Sequence, residues 1–334
     1  MKNINSTLIF ENKPSIASFG AVVGKKEGEG PLGKYFDLCE NDAYLGKKSW
    51  EQAESGFLGE SMDIALKKAS LSKDNIDFVL SGDLMNQCTS SGYAARGLER
   101  PFFGLYGACS TMAESLLLGS VLLDGGGGDY ILCATGSHFC SAEKQFRTPL
   151  EYGGQRTPTS QWTVTGSGAA VLSRKECPIK IDCATVGRVV DWGIKDANNM
   201  GGAMAPAFVD TLNRHFKATN RPLDYYDLIL SGDLGHTGKS IANELFHKQK
   251  MDISRYFEDC GVLIFDKETQ DTHSGGSGCG CSASVLCGYI LPEMLKGKYR
   301  RILFAATGAL MSPTLTMQSE TIPSISHAIS ITIE

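Results

Sequence analysis

Nowhere in the 334 residues is there an unbroken apolar run of the roughly 18 residues that a membrane-crossing helix requires. The most apolar stretch, Ser115 to Leu123, is far shorter and reads as a core helix. The opening segment MKNINSTLIFENKPS lacks an apolar signal core, so export through a signal peptide is not expected. Basic blocks are missing too. Lys and Arg total 32 against 37 Asp and Glu, a net charge of −5, which argues against nucleic acid as a partner. The eleven cysteines are scattered and form no Cys-x-x-Cys pair. Cys279, Cys281 and Cys287 have the wrong spacing for a zinc knuckle and no well-placed histidine, so neither a metal nor a cofactor is expected. The oxygen-rich cluster that calcium needs is not visible either. Most of the cysteines lie in strand or helix contexts and read as small buried residues in a reducing compartment.

What is present is a composition for burial, 42% apolar and 21% charged, typical of a soluble globular protein with a large core. Compared with itself, the chain repeats. DFVLSGDL at 77–84 returns as DLILSGDL at 227–234. An apolar run ending in Ser-Gly-Asp is a buried strand leaving the core through a tight turn. Upstream of each copy, 59–76 and 205–226 place apolar residues at helical spacing. Downstream, ILCATG at 131–136 pairs with ILFAATG at 302–308. Between them, GACSTMAESLLLGSVLLDG (107–125) and GCGCSASVLCGYILPEMLKG (278–297) are Gly/Cys turns opening into helices of small and apolar residues. Strands alternating with helices predict parallel pairing. Two pseudo-symmetric halves, 1–175 and 176–334, would bring the two Gly/Cys turns together. The polar, Gly-rich segment 138–165 lies outside the repeat and reads as an insertion covering a pocket.

GLYGACSTMAESL around Cys109, TGSGAAVL at 165–172 and GGSGCGCSAS at 275–284 resemble the thiolase and ketoacyl synthase superfamily over essentially the whole chain. The resemblance implies a duplicated five-layered α-β-α-β-α sandwich and a homodimer. GACSTMAESL, SGDLGHTG (231–238) and SGGSGCGCSAS (274–284) together are similar, more narrowly, to the stage V sporulation protein AD family of spore-forming bacteria. That implies a subunit of the SpoVA assembly beside membrane subunits at the spore inner membrane. Its ligand would be dipicolinic acid, free or as its calcium chelate.

A condensing enzyme of the superfamily needs a nucleophilic cysteine and two histidines, or a histidine and an asparagine, to handle the oxyanion and carbanion. Cys109 matches the nucleophile position, in a small-residue turn before a helix. The first partner slot falls at Gly232, with His236 four residues on, where it can point into the pocket or hold the loop. The second slot carries Cys279, and a thiol is a poor donor to an oxyanion. Losing such donors costs roughly a hundredfold each. Efficient condensation is therefore not expected, and binding is preferred. Two helix starts, marked by Cys109 and Cys279, would offer N–H groups to the two carboxylates of dipicolinate. Cationic help would come from His138, Arg147, Arg156 or His236, and Trp162 or Phe146 would pack on the ring. Arg188, Asp191 and Trp192 form a polar-aromatic loop of open role, and Asp83 and Asp233 read as turn caps. The competing readings are an acyltransferase using Cys109 with His236 as base, and a scaffold with a vestigial pocket.

Overall fold

The computed structural model describes residues 1–146 and 156–334. Ten strands carry the architecture. They are β1 (Ser15–Gly24), β2 (Phe78–Gly82), β3 (Phe102–Gly104), β4 (Tyr130–Ser137), β5 (Gly166–Ser173), β6 (Ile179–Thr185), β7 (Leu228–Ser231), β8 (Phe257–Asp259), β9 (Arg301–Ala309) and β10 (Ser324–Ile333). The first five order as β3-β2-β4-β5-β1 and the second five as β8-β7-β9-β10-β6. In each set the first two pairings are parallel and the last two antiparallel. The repeat in the sequence is thus a repeat of strand order and sense. The sets join where β1 and β6 pair through Ile16–Ile179 and Ser15–Lys180.

Helices α1 (Trp50–Lys68) and α3 (Met200–Thr219) cover the outer faces. α1 packs on β1, β5 and β4, while α3 packs on β10 and β9 with α4 (Gly235–Lys248) beside it. Between the sheets lie α2 (Thr111–Asp124) and α5 (Cys279–Val285), the latter continuing through a π turn, Leu286–Ile290, into Leu291–Leu295. α2 touches β4 and β2 on one side and β10 and β9 on the other. The inner helices are apolar nearly all round, as a helix between two sheets must be. Met112, Leu116 and Leu286 are fully buried, each contributing roughly 1.5–3 kcal/mol. Helix, sheet, helix, sheet, helix is the resulting layering.

Helix ends follow local chemistry. Ser49 caps α1 by accepting from the Gln52 N–H at 3.3 Å, and Asn199 caps α3 by accepting from the Gly202 N–H at 3.1 Å. The helical spacing read over 59–76 ends sooner, at Lys68. Ser70 takes a positive φ of 55° and Ser72 caps a separate short turn, Lys73–Asn75. In the segment read as an insertion, Phe139–Phe146 is helical and Trp162–Thr163 pairs in parallel with Gly276–Ser277, the approach to α5. Among the described residues no helix is long and apolar enough to cross a membrane. All eleven cysteines are free thiols.

Candidate functional site

Cys109 sits in the short turn Ala108–Ser110 that leads into α2. The turn is strained: Ala108 has φ 50°, a conformation a non-glycine residue adopts at a cost. It is held from the other half of the chain. Gly308 of β9 lies so close that a methyl group there would meet the Gly107 carbonyl oxygen at 2.1 Å. Ser282 Oγ of α5 donates to the Cys109 carbonyl at 3.5 Å. The two Gly/Cys turns therefore meet, and Cys109 and Cys279 share one small buried cluster with Leu84 and Ala142.

The residue facing the Cys109 thiol is Asp233, at the end of β7. Its carboxylate accepts from Gly278 N–H at 2.9 Å, Ser277 Oγ at 3.1 Å and Thr307 Oγ1 at 3.0 Å, and is fully buried. Reading Asp233 as a turn cap is corrected: the cap after β7 is Asp259, which accepts from Ser231 Oγ and the Leu234 and Gly235 N–H groups. Asp83, in the equivalent place after β2, does cap its turn, accepting from Met85 N–H and from Ser91 N–H and Oγ. Nothing in the local sequence separates the two aspartates; the difference lies in what packs above them. Gly278, with φ 102°, makes the Asp233 contact possible, since a side chain there would be strained and would strike Ser137.

Electrostatics at this centre disfavour thiolate. Burial pushes the Cys109 thiol well above its ordinary value, and the Asp233 charge raises it further. Burial likewise lifts Asp233 to about 7. Cys279 is fully buried, its thiol donating to the Gly136 carbonyl at 3.0 Å, and burial raises its pKa well above normal. Of the N–H groups expected to meet a ligand carboxylate here, that of Gly278, just before α5, is held by Asp233, and that of Gly280 by Ser137 Oγ.

A cleft of about 90 Å³ opens over Cys109. Tyr106, Phe146, Gln161, Asn198, Ser277 and Met311 are among its walls. Gln161 donates from Nε2 to the carbonyls of Asp233 and Gly276, while its Oε1 is buried without a protein partner. The described lining contains no Lys, Arg or His, and one acid, Glu143. The volume is well below the ~300–1,000 Å³ of sites for larger ligands.

The other expected residues are placed elsewhere. His236 is partly buried, and its pKa is lowered by burial and by Lys267 and Lys239; it does not line the cleft. His138 is buried, with Nε2 2.8 Å from the Ala43 carbonyl and Nδ1 accepting from Cys140 N–H; burial lowers its pKa. It borders a separate groove with Trp162, on which Phe139 stacks at 3.8 Å and over which Lys26 stands at 3.9 Å. Arg156 pairs with Asp271 at 2.5 Å and stacks on the same tryptophan. Arg147 lies outside the described residues. Arg188 forms a fork to Asp210, Asp191 accepts from Thr321, and Trp192 is 62% exposed. Among the described residues no cluster of three His, Cys, Asp or Glu could hold a metal ion.

A model of the family described as stage V sporulation protein AD matches residues 4–332. Stage V sporulation protein AD of Bacillus subtilis (strain 168) is 46% identical over 323 residues, covering 97% of this chain and 95% of that protein. Among solved structures, cerulenin-bound OleA of Xanthomonas campestris superposes with a TM-score of 0.63 at 14% identity, covering 100% of this chain and 100% of the other. 3-Oxoacyl-[acyl-carrier-protein] synthase III of Aquifex aeolicus VF5 gives 0.58 at 12% identity, covering 96% and 99%. These two likenesses establish the mixed α/β fold of thiolase type.

Proposed function

The chain belongs to the stage V sporulation protein AD family, and from that premise we propose that it is a non-catalytic subunit that binds dipicolinic acid in the SpoVA assembly, serving uptake of the acid with calcium during sporulation. The observation that carries the non-catalytic reading is the environment of Cys109. A nucleophilic cysteine needs positive potential and access. Cys109 as a residue is 5% exposed, and its thiol faces a carboxylate. Ionising it beside Asp233 would place two negative charges in one buried site.

The cleft supports a small planar ligand. Tyr106 and Phe146 bring aromatic rings to its lining, while Asn198 and Ser277 offer neutral polar groups. With no cation in the described lining and an unpartnered acceptor at Gln161 Oε1, the calcium chelate, whose charge is balanced, fits better than the free dianion. As a proposal, two copies pair along β3. This strand ends the sheet, and Tyr93, Phe102, Phe103 and Tyr106 around it are 60%, 38%, 48% and 45% exposed. Membrane subunits of the assembly would hold the protein at the spore inner membrane.

Calorimetric titration with dipicolinate, with and without calcium, tests the reading. Saturable binding retained in Cys109→Ala and weakened roughly tenfold in Asn198→Ala is the expected result. Acyl transfer from coenzyme A thioesters that vanishes in Cys109→Ala would instead establish the acyltransferase.

A further inference from the structure

We infer that a second cleft, sharing no lining residue with the one over Cys109, is a binding site for a small hydroxyl-bearing anion, a carboxylate or a phosphate ester. It measures about 550 Å³ and opens where β6, β10 and β9 run side by side, with Asp182, Arg221, Tyr225, Arg300, Arg301 and Thr332 in its walls.

Three polar atoms on these walls are buried without a protein partner: Asp182 Oδ1, Arg301 Nε and Thr332 Oγ1. Asp182 and Thr332 are only 9% and 5% exposed. Buried polar groups are almost always hydrogen-bonded, so three along one cleft point to a ligand that satisfies them. Asp182 owes its place to a β-bulge. β6 pairs with β10 as Ile181–Ile331 and then Cys183–Ser330, leaving Asp182 as the extra residue, and a bulge re-aims the side chain it carries. Thr332 pairs across the sheet with Arg301, so the two stand in one row.

The chemistry of the ligand follows from what is already occupied. Lys13 pairs with Glu334, and Arg221 with Asp182 Oδ2 at 2.5 Å. Arg300 and Arg301 take part in no ion pair among the described residues. Arg221 and Arg301 each stand 4.4 Å from the ring centre of Tyr225, which holds both guanidinium groups in place. Arg300 and Arg301 therefore call for anionic oxygens. Asp182 Oδ1, its charge balanced by Arg221, calls for a hydroxyl or amine hydrogen. Thr332 serves either. A simple anion leaves Asp182 unpaired; a hydroxylated one satisfies all three atoms.

The test is calorimetry on the full chain at low ionic strength with two pairs of probes, citrate against tricarballylate and glycerol 3-phosphate against propyl phosphate. The members of each pair share charge and differ in hydroxylation. The structure requires the hydroxylated member of at least one pair to bind saturably and roughly tenfold more tightly than its partner. The pair showing the higher affinity identifies the anionic group as carboxylate or phosphate. Arg301→Gln should abolish that binding. Thr332→Val, which keeps the shape and removes a hydroxyl with no protein partner, should weaken it severalfold without lowering the urea midpoint. Absence of saturable binding by every probe, equal affinity within both pairs, or binding that Arg301→Gln leaves intact would overturn the assignment.

Discussion

At the scale of single residues, the protein turns on what surrounds one sulfur. Cys109 stands where a superfamily nucleophile would stand, yet burial and Asp233 both hold its proton in place. Iodoacetamide at pH 8 should label the exposed Cys39 at least tenfold faster than Cys109, read by peptide mass spectrometry. Asp233→Asn removes the charge and should speed Cys109 labelling severalfold. Equal rates at Cys39 and Cys109 in the unmodified protein would contradict the electrostatic picture. Cys109 was legible from its turn of small residues before an apolar helix. Asp233 was not, because Ser-Gly-Asp occurs twice and its neighbours Ser277, Gly278 and Thr307 come from distant sequence. A comparison of the two Ser-Gly-Asp copies could have asked which faced the cysteine, but no local pattern answers it.

Among the elements, the strands and inner helices were the most readable. Apolar runs of three to five residues became β2, β4, β7 and β9, and small-residue runs became α2 and α5. Boundaries were less readable, since α1 starts at a serine cap and stops at a left-handed serine rather than where its apolar spacing fades. The short edge strand β3, PFFG, has no alternation and owes its existence to pairing with β2. Its exposed aromatics give a direct test of assembly. Phe103→Glu should shift a dimer to monomer in analytical ultracentrifugation, with the circular dichroism spectrum unchanged. A sedimentation coefficient identical in both proteins would rule out pairing along this edge.

For the whole molecule, stacking five layers buries two acids that form no ion pair among the described residues, and this sets a pH dependence. Burial raises both Glu27 and Asp233 to about 7. A carboxyl whose folded pKa lies above its unfolded value of about 4 binds more protons when folded. Its contribution is complete below that unfolded value and is lost as pH rises through about 7. Each group therefore lowers stability with a slope approaching about 1.4 kcal/mol per pH unit between these limits. The urea midpoint should fall from pH 5 to pH 8, and Glu27→Gln should flatten the decline. A midpoint that rises over this range in the unmodified protein would refute the assignment of these two acids.

The sequence by itself determined that the chain is a repeated series of helices and buried strands with two glycine-lined cysteine turns, because periodicity and turn chemistry act over a few neighbouring residues. It also carried the family, through motifs written contiguously around Cys109 and Cys279. Only the tertiary structure decided which groups those turns meet. It set Asp233 rather than His236 against the thiol, placed His138 and Arg156 around Trp162 instead of in the cleft, and gathered Asp182, Arg301 and Thr332 on one wall. Burial, charge and close approach depend on contacts between residues tens to more than a hundred positions apart, and no local pattern encodes them.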